Sequence, residues 1–250
     1  MENNDTLLRR AEDLAEQCGR RGIVTASGFL TPAERYQLEK QPPRRPAGVE
    51  LYFFGGRSDS ERTVMFCLPD YILPEYFEAD EYIKAIHITA HFGAPGHRDY
   101  MGAILGMGIE RDRLGDILVK DREAWFFCLP GIFSHLLTMD KVGRFGVTAK
   151  EIALADVPAP ERHVREETFS VMSPRLDAVV GGMFRLSRSE AAKQVELGKV
   201  SVNYAVAVKT DLTVREGDII SLQGHGKAIL KSCGGMSRKG RLFLNAEVLL

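Results

Sequence analysis

The chain holds 250 residues, 44% apolar and 27% charged, with a formal net charge of −1. That is enough for two or three small domains and describes an ordinary soluble protein without assigning it a function. The opening MENNDTLLRR does not read as a signal peptide, and no apolar run approaches the roughly 20 residues of a membrane span. Cysteines at 18, 67, 128 and 233 stand too far apart for a CxxC pair or a zinc-ligand block, so a cytoplasmic protein with free thiols is expected.

Residues 5–20 set Leu7, Leu8, Ala11, Leu14 and Ala15 on one helical face, and Thr31-Pro32-Ala33-Glu34 reads as a capping box with proline at the first helical position. The Pro- and Arg-rich stretch 41–48 is a loop, after which VELYFF and RTVMFCL flank GGRSDSE as a hairpin. An N-terminal α/β unit is predicted over residues 1–71, its boundary near Tyr71.

The next stretch, 72–165, alternates as a strand over Tyr82–Thr89, becomes helical over Arg98–Met107 and stops at Gly108. Strands at Asp116–Val119 and Ala124–Leu129, a helix near Ile132–Met139 and a strand near Ile152–Val157 complete a β-α-β-β-α-β order, which is ferredoxin-like. RNA-recognition modules share that order and stack bases on aromatics of their central strands. Here Trp125 and Phe127 share one strand face and Phe126 takes the other, so base stacking competes with burial against the two helices; no RNP1-like sequence is present. His97, Arg98, Asp99, Arg111 and Arg113 form a dense polar cluster, while Gly106, Gly108 and Gly115 mark backbone geometry. His87 and His91 share a strand face but have no third ligand, so no metal site is expected.

In the last third, Ser173 is expected to cap a helix starting at Pro174, with Leu176, Val179 and Val180 as its apolar stripe and Gly181-Gly182 as its end. Ser187 and Glu190 make a second capping box, Ala191, Ala192 and Val195 a second stripe, Gly198 a left-handed stop, and Val200 and Val202 begin a strand. Arg188 falls in the first turn of that helix, where the macrodipole disfavours a cation by a few tenths of a kcal/mol, and Lys193 projects opposite the stripe. Such charges suit a phosphate ligand, the bland alternative being a solvated face. From Ser173 onward 12 Lys and Arg stand against 7 Asp and Glu, an excess of +5, which leaves −6 for the rest of the chain. The basic excess collects on these two helices and the strands after them.

Arg175-Leu176-Asp177, Ser187-Arg188, Ala191, Gly198-Lys199-Val200, Val202-Asn203 and Gly217-Asp218-Ile219-Ile220 resemble, in order and spacing, the S4-type RNA-binding domain, here over 166–250. The resemblance implies two helices and a following loop that grip structured RNA. It implies RNA contacts at Arg175, Arg185, Arg188, Lys193, Lys199, Asn203, Lys209, Arg238, Lys239 and Arg241, while the polar cluster outside this segment makes His97, Arg98, Arg111 and Arg113 a candidate second RNA surface. HRDYMGAILGMGIERDRLGDI, joined to VELYFFGG and ERTVMFCLPDY, extends the likeness: nearly the whole chain is similar to the YlmH family of bacterial S4-domain proteins, least so over the first 45 residues.

That family implies a cytoplasmic factor of the large ribosomal subunit, acting in ribosome-associated quality control where a stalled nascent chain stays attached to tRNA. Such a factor assists the addition of C-terminal alanine tails, has a link to cell division, and has no active site of its own. The implied partners are 23S rRNA of the 50S subunit, tRNA and the other quality-control factors, with no membrane, no cofactor and a monomeric state.

Enzyme readings fit less well. A pseudouridine synthase needs a catalytic aspartate in a separate large domain, yet the one RLD, Arg175–Asp177, belongs to the first helix of the RNA module. A methyltransferase needs a glycine-rich turn between strand and helix, whereas Gly106-Met107-Gly108 ends a helix. The competing reading is an RNA-modifying enzyme centred on His97, Arg98 and Asp99, which requires those three in a pocket rather than on an open surface.

Overall fold

The structure, a computed structural model, describes residues 2–160, 164–236 and 240–249. The chain is α+β and divides into two compact units, Met1–Ala159 and Pro160–Leu250.

The first unit opens with α1 (Glu2–Arg21), whose Ala11, Ala15 and Cys18 are buried. It packs on an antiparallel sheet of β1 (Thr25–Leu30), β2 (Val49–Phe54) and β3 (Thr63–Pro69), with β3 central. The hairpin of β2 and β3 forms in the register Val49↔Pro69 to Phe54↔Val64. β1 carries no sequence alternation, because a bulge between Ala26 and Phe29 absorbs Ser27 and Gly28. Between β1 and β2, α2 (Pro32–Lys40) starts at the expected box: the Thr31 hydroxyl accepts the Glu34 N–H, and the Glu34 carboxylate accepts the Thr31 N–H at 2.7 Å.

The second sheet comprises β4 (Lys84–Ala90), β5 (Leu114–Lys120), β6 (Glu123–Cys128), β7 (Lys141–Val142) and β8 (Phe145–Ile152), in the order β5-β6-β4-β8-β7. α3 (His97–Gly106) and α4 (Pro130–Leu137) cover one face, where Ile86, Ile88 and Phe126 meet Tyr100, Ile104 and Leu136. The last long strand lies at Phe145–Ile152 rather than Ile152–Val157, and residues Leu154–Asp156 form a 3-10 turn. Its only fully buried side chain is Val147, so it shows no apolar alternation, whereas the more apolar IALADV mimics one.

The opposite face of this sheet is closed. Val64, Phe66 and Leu68 of β3, with Phe29 of β1, pack against Ala85, Trp125 and Phe127, while Met65 and Cys67 of β3 turn towards α1. β3 is therefore buried on both sides, and the division expected near Tyr71 falls inside one continuous core. Phe127 is fully enclosed and Trp125 nearly so, which removes both rings from base stacking and corrects the idea that they pack on the two helices. His87 lies parallel to Trp125 at 5.1 Å between centroids and contacts Glu123 at 3.1 Å, a packed histidine rather than a ligand.

In the second unit β9 (Val164–Val171), α5 (Leu176–Phe184), α6 (Arg188–Glu196), β10 (Val200–Val202), β11 (Ala205–Ala207), β12 (Ile219–Leu222), β13 (Gly226–Met236) and β14 (Leu242–Leu249) follow in order. The strands form one antiparallel sheet, β11-β10-β12-β13-β14-β9, on which both helices bury Leu176, Val179, Val180, Met183, Ala191 and Val195. α5 does not begin at Ser173: Leu176 and Asp177 donate their N–H groups to Leu212 and Thr210, so a neighbouring loop satisfies donors that a serine cap would otherwise take. Nor do Gly181 and Gly182 end it. The helix continues to Phe184 and stops at Arg185, φ 56°, while Gly182 is required where the Phe169 ring presses on the helix. The box at Ser187 and the left-handed Gly198 form as expected.

Candidate nucleic-acid interface

Asp177 groups two of the basic residues of the second unit, Arg175 and Arg188. Its side chain is 7% exposed, and its Oδ1 accepts the Ala178 N–H at 2.8 Å and Arg175 Nε at 3.3 Å. Its Oδ2 accepts Arg175 Nη2 at 3.3 Å and both Nε and Nη2 of Arg188 at 3.2 Å. Burial pushes this carboxyl up, but the two guanidinium groups and the backbone donor outweigh it and hold the group below the usual carboxylate range. Arg188 thus tolerates the helix N-terminus because a carboxylate eleven residues earlier compensates it. The two arginine side chains remain 39% and 65% exposed, oriented from behind and open in front.

The other expected contacts divide by what they do in the fold. Lys193, Lys199 and Lys209 are exposed, and among the described residues none pairs with a carboxylate. Arg185 is 65% exposed with Nε 2.7 Å from Glu167, which also takes Arg165 at 2.6 Å. Arg241 donates to the hydroxyl and the carbonyl oxygen of Ser170. Arg238 and Lys239 lie outside the described residues. Asn203 is engaged by the fold itself: at φ 51° it donates to Asp218 at 2.8 Å and accepts the Ile219 N–H at 3.0 Å, pinning the β10–β11 hairpin to β12. Asn203→Ala is expected to cost about 2 kcal/mol of stability, from the lost charge-assisted bond and the positive φ. Urea unfolding together with an RNA titration checks this, the affinity of the folded protein staying within about twofold.

A cleft of about 410 Å³ in the same unit was not legible in the sequence. Phe169, Met172, Gly181 and Leu186 line it, and Arg188 and Arg241 flank it. Its one sequence signal is the Gly181-Gly182 pair inside a helix.

In the first unit His97, Arg98 and Asp99 are exposed at the start of α3, on an open surface, and the Asp99 carboxylate accepts the Gly96 N–H at 2.8 Å as a helix cap. Burial and the nearby Arg111 lower the His97 imidazole from its ordinary value, with Asp116 opposing them. Arg113 is exposed, 4.0 Å from Glu110. Arg111 is half-buried, and its carbonyl accepts one of three bonds made by Arg62, the others going to Phe29 and Leu114. Asp116 accepts the Glu61 and Arg62 N–H groups at 2.7 and 3.1 Å. Arg62 and Asp116 thus join the start of β3 to β5 and the turn before it, a structural role within the ERTVMFCL and RLGDI strings. Among the described residues no group of three or more His, Cys, Asp or Glu could hold a metal, and no helix is long and apolar enough to cross a membrane.

These observations define an α+β protein with a basic, preorganised surface on its C-terminal unit. Residues 75–156 match the family model described as "Putative RNA-binding domain in YlmH". A curated protein of Bacillus subtilis (strain 168), "Ribosome-associated protein quality control protein P2", is 31% identical over 224 residues, 88% of this chain and 85% of that protein. The chain belongs to the YlmH family. The solved structure of "Cell division protein ylmH from Streptococcus pneumoniae" shares its fold, with a TM-score of 0.51 and 22% identity over 62% of this chain and 93% of that one.

Proposed function

We propose that this protein is a non-enzymatic RNA-binding factor of the large ribosomal subunit, cytoplasmic and monomeric. It holds 23S rRNA and tRNA on stalled 50S complexes and assists C-terminal alanine tailing beside other quality-control factors. The observation that carries this reading is the Arg175–Asp177–Arg188 cluster: two guanidinium groups, one from the cap of α5 and one from the first turn of α6, fixed by one buried carboxylate. The printed name of the Bacillus subtilis relative supports the ribosomal setting. The β5-β6-β4-β8 order with both helices on one face supports a ferredoxin-like reading of the middle segment, and the α5–α6 pair with β10–β12 an S4-type reading of 166–250. The exposed placement of His97, Arg98 and Asp99, with Asp99 used as a cap, favours binding over catalysis there.

The test is a titration of large ribosomal subunits carrying peptidyl-tRNA with the full chain across a salt series. With roughly five phosphate contacts, log K is expected to fall against log salt with a slope of about −3 to −5. A slope near zero, or modified nucleotides in RNA incubated with the protein, overturns the reading.

A further inference from the structure

We infer that the cleft beside α5 is a slot for one unstacked nucleotide of an RNA strand, its base against Phe169, Met172 and Leu186 and its phosphate on Arg188 and Arg241. This rests on the RNA-binding reading above and adds a site to it.

The cleft is built from absence as much as presence. On the side of α5 that faces it stand Ala178, Gly181 and Gly182; the Phe169 ring lies against the helix at Gly182, and α5 itself contributes no large side chain to this wall. The cleft is also lined by the end of β9 and by Met172 just after it, which is 67% exposed, a large apolar group without a cover. Stacking on apolar and aromatic side chains accepts any base, since each has a π face.

The rim supplies the charge. Both arginines flank the cleft and, among the described residues, no carboxylate lines it, so the site complements an anion. Each guanidinium is already oriented by the protein, Arg188 by Asp177 and Arg241 by Ser170, so little side-chain entropy is lost on binding. Among the described residues Arg188 Nη1 has no protein partner and is available to a phosphate oxygen. The volume of about 410 Å³ lies within the range of roughly 300–1,000 Å³ typical of small-ligand sites. It admits one nucleotide and is too small for a duplex, so the occupant must come from a loop, bulge or single-stranded end, the elements that proteins read in RNA.

The experiment compares fluorescence anisotropy of the full chain with labelled oligouridylate, whose bases stack little on one another, and with a blunt RNA duplex. Met172→Ala removes part of the proposed base contact and Ala178→Gln fills the cleft without changing charge; thermal unfolding verifies that each folds. Both are expected to weaken oligouridylate binding on the order of five- to tenfold and leave duplex binding within about twofold. Ultraviolet cross-linking of the oligomer should label the peptide containing Phe169 and Met172. If both variants bind oligouridylate as the wild type does, or lose oligomer and duplex equally, the slot is overturned while RNA binding stands. A wild-type chain that binds neither RNA overturns the RNA-binding reading along with it.

Discussion

Gly56→Ala is expected to destabilise the first unit by roughly 3–5 kcal/mol, enough to remove much of the stability of a domain this size. Two costs coincide there. Gly56 has φ +99°, a conformation that L side chains rarely adopt, and the added Cβ would be driven into the Phe127 ring, which is fully enclosed between the two sheets. Equilibrium urea unfolding of the full chain measures the loss. Pairing the substitution with Phe127→Leu separates the terms, because the smaller side chain should recover part of the steric cost and none of the backbone cost. A single-variant loss below about 1 kcal/mol would show that the FGG turn can move away from β6.

Removing charge from the second unit is expected to act on binding instead. Replacing Arg175, Arg188 and Lys193 together by glutamine should reduce affinity for large-subunit complexes on the order of 10²- to 10³-fold and flatten the salt slope by about 2 to 3. Glutamine is the better substitution at the two arginines because its amide still offers Asp177 a donor; alanine would leave a buried carboxylate without compensation and confound affinity with folding. In a reconstituted alanine-tailing reaction the triple variant should be inactive, and a His97→Ala, Asp99→Ala variant that folds should keep most of its activity. The reverse pattern favours a catalytic site at α3.

What the sequence disclosed follows from how local each cause is. The capping boxes at Thr31 and Ser187, the amphipathic α1 and the β2–β3 hairpin depend on neighbours within a few residues, and they form as expected. Three other features depend on partners far along the chain. β1 exists because β3 pairs with it, α5 starts at Leu176 because residues 210 and 212 accept its first N–H groups, and β8 is held by β4 despite its polar pattern. Trp125 and Phe127 were legible as a shared face, but what covers that face comes from residues 29 and 64–68. The basic residues of the candidate site could be named from sequence; their grouping by Asp177 could not, since an eleven-residue separation has no periodic meaning until two helices fold against each other.

Burial of β3 on both sides also sets an order on biosynthesis. Once Pro69 has left the exit tunnel, Met65 and Cys67 already have α1 to cover them, and Phe77 and Tyr82 soon reach Phe66, but the cluster that encloses Val64, Phe66 and Leu68 is completed only by Trp125 and Phe127, translated much later. Until then the nascent chain presents an incompletely covered apolar sheet face, the kind of surface that holdase chaperones shield and proteases exploit. The first three strands therefore cannot serve as a portable module: any truncation, graft or fusion that keeps them soluble must carry the polypeptide through Cys128 with them.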